Sequence, residues 1–189
     1  MLSEGFSQFL VISLVIALGI TFGYLLEPDE NLPVQYRVYS SILGWTYFFA
    51  WSVSFYPQLI HNYLRGTSRG LSIDFVMLNT IGFLCYSIFT VCMYYIPLFK
   101  DEYGARHDGN VIKVSISDVY FAIHAFILTL ITWIQALYYD GHYQIPSQIG
   151  FLVSFGFCVF CAVYILFILE SVNNNRDPYN WYYFIYVIA

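Results

Sequence analysis

Long apolar segments separated by short polar ones dominate this chain. Five segments hold the roughly 20 mostly apolar residues that a membrane-spanning helix needs, and they cover residues 6–26, 40–60, 75–96, 119–139 and 147–169. A sixth begins near Trp181 and has only nine residues up to Ala189, too few to cross a bilayer as a helix. The pattern predicts an all-α, multi-pass membrane protein that is either incomplete or ends in a half-segment.

The first apolar segment, residues 6–26, has two interpretations. A secretory signal peptide starts with basic residues, whereas Glu4 is the only charged residue before this segment and no Lys or Arg precedes it. An uncleaved membrane helix and a signal peptide both remain open.

Composition agrees with a membrane location and disfavours other classes. Of the 189 residues, 59% are hydrophobic and 10% are charged, against about 25% charged in soluble domains. Seven Lys and Arg residues form no basic patch for nucleic acid. No signature of a soluble enzyme is present, and the C-x-x-C pair Cys158 and Cys161 lacks the context of a metal or redox site. We expect no enzyme activity, no cofactor and no bound metal.

The most informative polar feature is the Pro57-Gln58 pair inside the second apolar segment. A proline within a helix removes one backbone hydrogen bond and favours a kink. In lipid, the freed carbonyl needs another partner, so such a site is normally buried against other helices or lines a cavity. A kinked membrane helix with polar neighbours favours a transporter.

A polar stripe runs along the same segment. Tyr47, Trp51, Ser54 and Gln58 are spaced i, i+4, i+7 and i+11, so a helix places them on one face. These side chains either bond to neighbouring helices or line a binding site for a solute.

The next segment carries three further candidates. Asn79, Gly82 and Tyr86 are spaced to share a face. Gly82 permits close approach of helices, and Asn79 offers amide donors and an acceptor, either to a solute or to another helix. Asp74 precedes them at the helix entrance, where a carboxylate normally caps backbone N–H groups. We expect structural or gating roles for Asp74 and Gly82.

Asp118 opens the fourth segment, which also contains His124 and Gln135. Capping of the helix is one role for Asp118. Because ionisable residues in membrane helices recur in proton pathways, proton transfer is the other.

Four segments resemble, in order and spacing, the cystinosins of the PQ-loop superfamily. They are residues 44–58 (GWTYFFAWSVSFYPQ), 70–79 (GLSIDFVMLN), 117–125 (SDVYFAIHA) and 150–152 (GFL). The resemblance implies a lysosomal transporter that exports cystine together with protons, built from two three-helix bundles joined by a linker helix. It places loop 61–74 in the cytosol.

The resemblance also implies residue roles. They are substrate binding at Trp51, Phe55 and Asn79, hinge motion at Pro57 and Gln58, and proton coupling at Asp118. L-Cystine and protons would be the solutes and the lipid bilayer the surroundings, nucleic acid would not be a partner, and the sequence does not identify which proteins, if any, bind this chain. The family's large lumenal N-terminal domain, and everything after the start of its fifth helix, have no counterpart here. The chain could therefore form at most half of the shared site.

These inferences divide the chain into four parts. Residues 1–39 hold the first hydrophobic segment and a short lumenal link, 40–139 the first three-helix PQ-loop bundle, 140–170 the linker helix, and 171–189 a lumenal loop with the start of a truncated helix. The alternatives are a sugar carrier like the SWEETs and a truncated membrane protein that does not transport.

Overall fold

The structure is a computed structural model that describes residues 4–26, 32–173 and 180–189. These residues form helices and connecting segments without a strand, as the sequence predicts. The helices are α1 (Glu4–Leu25), α2 (Val34–Arg65), α3 (Ile73–Tyr95), α4 (Pro97–Arg106), α5 (Ile116–Asp140), α6 (Gln148–Asn173) and α7 (Trp181–Ile188).

Four helices in the described part of the chain are long and apolar enough to cross a membrane. They contain the spans Gly5–Leu25, Ile73–Tyr95, Ile116–Asp140 and Gln148–Ser171. Together with the absence of strands among the described residues, these spans confirm the prediction of an all-helical, multi-pass membrane protein.

Helix α2 is longer than predicted. Its 32 residues span about 48 Å, and they continue past Pro57 to Arg65 instead of ending at residue 60. Gly66 then ends the helix with a left-handed conformation (φ 59°), which glycine adopts without steric cost. Because α2 carries many polar residues, it is not among the four helices that qualify as membrane spans by hydropathy. It lies between two that do, α1 and α5.

Helix α4 lies where the sequence predicts a loop. Pro97 ends the preceding span and occupies the first turn of α4, where its missing N–H costs nothing. Ten mostly polar residues carry too weak a hydropathy signal to be predicted as a separate helix.

Helix α1 packs closely along α2 through a G-x-x-x-G pair. A Cβ atom on Gly19 would lie 2.0 Å from Thr46 Oγ1, and one on Gly23 would lie 2.5 Å from Ile42 Cγ1. Between the two glycines, the ring of Phe22 lies 5.3 Å from that of Trp45. Small residues at such a contact let two membrane helices approach closely.

Helix α5 contacts both α2 and α3. Ala122, Ala125 and Ala136 on α5 are buried, and their small side chains leave room for the neighbouring helices. The result is a three-helix arrangement, α2–α5–α3, in which α5 is central.

A second packed region lies on α3. Met93, Phe99 of α4, Ile168 of α6 and Ile185 of α7 form its core. Most of α6 is exposed in the described chain, and its contacts are with α3 and α7.

Candidate functional site

The candidate site begins with aromatic side chains shared by three helices. The rings of Tyr47 and Trp51 on α2 lie 5.1 Å and 6.5 Å from that of Phe121 on α5. Phe55, one turn further along α2, lies 5.7 Å from Phe83 on α3, and Phe83 lies 6.0 Å from Phe121. Tilted and edge-on pairs at such distances are favourable. These five residues form a continuous surface, which we call the aromatic wall.

The α2 part of this wall is open on one side. Trp51 is 52% exposed and Tyr47 is 41% exposed. Ser54, on the same predicted stripe, donates its hydroxyl hydrogen bond to the carbonyl of Trp51 in its own helix, at 2.6 Å. The stripe therefore faces outward, and its Ser54 and Gln58 side chains bond within α2 instead of to a neighbouring helix.

Asn79 lies one helical turn before Phe83, on the same side of α3 as this part of the aromatic wall. Its side chain is half-buried and makes no hydrogen bond with the residues that the structure describes. An amide there can bind a polar group that approaches the wall.

Gly82 does not mark a close helix contact, contrary to expectation. No atom of the described chain lies within 4 Å of a Cβ placed on it. Gly82 instead lines a cavity of about 220 Å³ together with Cys85, Phe157 of α6 and Ile188 of α7. The small side chain leaves open space between the helices.

A chain of amide hydrogen bonds follows Pro57 on α2. Gln58 Nε2 donates to Asn62 Oδ1 at 2.8 Å, and Asn62 Nδ2 donates to Gln135 Oε1 at 3.4 Å. Gln135 Nε2 then donates to the carbonyl of Leu59 at 3.2 Å. The segment of α2 that follows Pro57 is thereby bound to α5 through polar groups.

A second polar link joins α2 and α5 just before the kink. The hydroxyl of Tyr56 lies 3.0 Å from Nε2 of His124. The other ring nitrogen, Nδ1, is buried and has no partner among the described residues. Among the described residues, His124 thus hydrogen-bonds to α2 through one nitrogen, while its ring packs against Phe48 of the same helix at 5.7 Å.

Asp118 lies in the first turn of α5 and binds the residue that precedes the helix. The Ser115 N–H and the Ser115 hydroxyl both donate to Asp118 Oδ2, at 2.8 Å each. Ser115 and Ser117 also line a cavity of about 960 Å³ between α2, α4 and the segment that leads into α5. The carboxylate is half-buried. Asp118 therefore completes the cap of α5 and lies three residues before Phe121 of the aromatic wall.

The cap expected from Asp74 is supplied by another residue. Ser72 caps α3 by accepting a hydrogen bond from the N–H of Phe75 at 3.3 Å. Asp74 Oδ1 instead accepts from the N–H of Ser147, at the start of α6, at 2.8 Å. Asp74 thus connects two helices, a contact that its position in the sequence does not reveal.

Comparison with known proteins gives a consistent result. Residues 39–99 match the family model of the PQ loop repeat. A cystinosin homolog of Caenorhabditis elegans is 45% identical over 122 residues, which are 62% of this chain and 30% of the relative. A cystinosin homolog of Dictyostelium discoideum is 38% identical over 144 residues, 76% of this chain and 48% of the relative. A cystine transporter of Saccharomyces cerevisiae is 33% identical over 107 residues, 57% of this chain and 40% of the relative.

The chain is thus similar to the PQ loop repeat over residues 39–99 and to cystinosins over a larger part of its length. It spans less than half the length of each of these three relatives. The matched PQ-loop repeat includes most of α2, the connection to α3, and α3 itself. It therefore contains Pro57 and Asn79, whereas Asp118 lies outside it.

Two buried polar residues in and near the PQ-loop repeat were missed by sequence reasoning. Asn62 and Asp140 are 1% and 4% exposed. Asn62 falls within loop 61–74 of the sequence-based prediction, and nothing in the sequence indicates a partner for Asp140. Their partners, Gln135 for Asn62 and Ser68 for Asp140, are 73 and 72 residues away in sequence. Only the packing of α2 against α5 brings these groups together.

Proposed function

We propose that this chain forms the first half of a transporter that exports L-cystine from the lysosome together with protons. The relation to cystinosins and the name of the yeast relative support cystine as the solute. The observation that carries the proposal is the open aromatic wall, with the unbonded amide of Asn79 on the same side of α3. Together they form half of a cleft for a small polar solute.

The chemistry of this half-site suits cystine. Aromatic rings make favourable contacts with sulfur, so Trp51 and Phe55 are suited to the disulfide of the solute. Asn79 supplies both donors and an acceptor, as a zwitterionic amino-acid end requires. Such a site binds its solute without covalent chemistry, which favours transport over catalysis.

We assign proton coupling to Asp118. In this proposal the large cavity beside Ser115 faces the acidic lumen, and the connection between α2 and α3 faces the cytosol. Protonation in the lumen removes the charge of Asp118, and deprotonation at cytosolic pH restores it. A proton bound in one state and released in the other shifts the population between them.

Pro57 provides the mechanical element of the proposal. It removes one backbone hydrogen bond from the middle of α2, so α2 can bend there at lower cost than elsewhere. Bending at Pro57 changes the distance between the aromatic wall and whatever covers its open side.

The test is uptake of radiolabelled cystine by membranes that carry the full-length product, at two external pH values. Uptake that rises on the acidic side and is inhibited by unlabelled cystine supports the proposal. Uptake of labelled glucose without uptake of cystine would assign the protein to the sugar carriers. Absence of uptake of both solutes by correctly inserted full-length protein would contradict a transport role.

A further inference from the structure

Asp140 is an ionisable residue for which the proposed transport mechanism has no role so far. It is the last residue of α5 and is 4% exposed. A carboxylate at the C-terminus of a helix meets the negative end of the helix dipole. Burial of a charge is unfavourable unless the charge is paired and hydrogen-bonded. The groups that bind Asp140 therefore explain how its charge is stabilised in this buried position.

The connection between α2 and α3 supplies these partners. Asp140 Oδ2 accepts hydrogen bonds from Thr67 Oγ1 at 2.7 Å, from the Ser68 N–H at 2.6 Å and from the Ser68 hydroxyl at 3.0 Å. Asp140 Oδ1 lies 3.5 Å from Nε of Arg69, whose guanidinium stacks over the ring of Tyr143 at 5.3 Å. Charge-assisted bonds of this kind are stronger than neutral ones.

At the same end of the bundle, a second carboxylate binds the connection between α5 and α6. There Asp74 Oδ1 accepts from the N–H of Ser147. Gly150 allows this contact, because a Cβ on it would lie 2.5 Å from that oxygen. Asp140 at the end of α5 thus binds the connection between α2 and α3, and Asp74 at the start of α3 binds the connection between α5 and α6. We call these two contacts the double clasp.

The clasp of Asp140 lies in the path of the proposed hinge motion. The part of α2 beyond Pro57 leads through Gly66 directly into the residues that Asp140 holds. A bend at Pro57 that moves the end of α2 away from α5 therefore has to break these bonds. Arg69 is largely exposed (66%), so water can replace its part of the contact.

We infer that Asp140 is a gating residue, which holds the end of α2 against α5 until the transport cycle opens that end. The inference rests on the proposed transport function. It concerns the balance between closed and open forms and needs no knowledge of the solute.

The experiment measures the distance between the two helix ends. Spin labels are placed at Leu64 on α2 and Tyr138 on α5, which are 75% and 82% exposed. Before the labels are attached, the native cysteines are replaced so that they do not react, namely Cys85, Cys92, Cys158 and Cys161. Pulsed electron paramagnetic resonance on the protein in lipid then gives the distribution of distances with and without Asp140→Ala.

The expected result is an increase of about tenfold or more in the ratio of longer to shorter distances in Asp140→Ala, because several bonds to a charged group are lost. Asp140→Glu should partly restore the original distribution. Asp101→Ala removes an exposed carboxylate on α4 and serves as the control, which should change nothing. An unchanged distribution in folded Asp140→Ala would overturn the inference.

A second variant decides the matter if Asp140→Ala does not fold. Thr67→Val removes a single hydrogen bond to Asp140 and nearly preserves the shape of the side chain. A smaller shift in the same direction supports gating, and no shift overturns it. Because no solute is added, a negative result here is distinguishable from a failure of cystine transport.

Discussion

At the scale of single residues, the candidate site is defined by polar groups with and without partners. The hydroxyl of Ser54 is bonded within α2, whereas the amide of Asn79 makes no bond with the described residues. Both residues are candidates by sequence because both are polar and lie in apolar helices. The structure separates them, since the hydroxyl donor of Ser54 is already used within α2, whereas Asn79 keeps both amide donors and its acceptor for a solute.

We therefore expect Asn79→Ala to weaken cystine binding more than Ser54→Ala. Loss of one partner of a buried polar group costs about 1–3 kcal/mol, or roughly 5- to 150-fold in affinity. The comparison of KM for cystine uptake at matched expression measures the difference. Equal KM values for the two variants would show that Asn79 does not contact the solute.

Asn62 illustrates a polar residue with a structural role. It is 1% exposed and links Gln58 to Gln135. Asn62→Ala should lower the free energy of unfolding by about 1–3 kcal/mol, because it leaves buried amide groups unpaired. Thermal unfolding in detergent measures the loss, and His61→Ala is the control because His61 is the exposed neighbour in the same helix. Similar losses in both variants would exclude a special contribution from the buried amide chain.

At the scale of helices, hydropathy predicts some elements and misses others for physical reasons. Helices α1, α3, α5 and α6 each contain a long, predominantly apolar stretch, so a window of hydrophobic residues finds each of them. The full extent of α2 was missed because polar residues occur near both of its ends, and α4 because it is short and polar. The contacts of Asp74 and Asp140 could not be predicted, because they join segments more than 70 residues apart.

The contact between α1 and α2 can be tested through its glycines. Gly19→Leu should disrupt it, because even a Cβ there would lie 2.0 Å from Thr46 Oγ1. Overpacking of this kind typically costs about 1–3 kcal/mol. Gly5→Leu in the same helix is the matched control, since no atom of the described residues lies within 4 Å of a Cβ on Gly5.

Disulfide cross-linking between cysteines introduced on α1 and α2 measures the contact. Cross-linking should fall in Gly19→Leu and persist in Gly5→Leu. Loss in both variants or in neither would contradict packing through the glycine pair.

The mass of the purified protein decides separately whether residues 6–26 are removed as a signal peptide.

At the scale of the whole molecule, the two ends of the α2–α5–α3 arrangement differ in character. One end has the large cavity beside Ser115 and Asp118. The other is held by the double clasp of Asp74 and Asp140. The Pro57 hinge and the aromatic wall lie between these ends. This asymmetry fits a transporter that opens its two ends alternately, with a titratable residue near one of them.

The proposed coupling between protons and solute involves this whole arrangement, and Asp118→Asn tests it. Asn at this position in the first turn of α5 can still accept the Ser115 N–H through its side-chain oxygen, so folding and insertion should persist. The titratable proton is lost, so a gradient should no longer drive transport. In a symport of one proton, a difference of one pH unit is worth a factor of about ten in accumulation, and this factor should disappear. The measurement is cystine flux against pH at matched surface expression. A variant with the wild-type pH dependence would restrict Asp118 to its capping role, because the Ser115 contact can survive the substitution while proton transfer cannot.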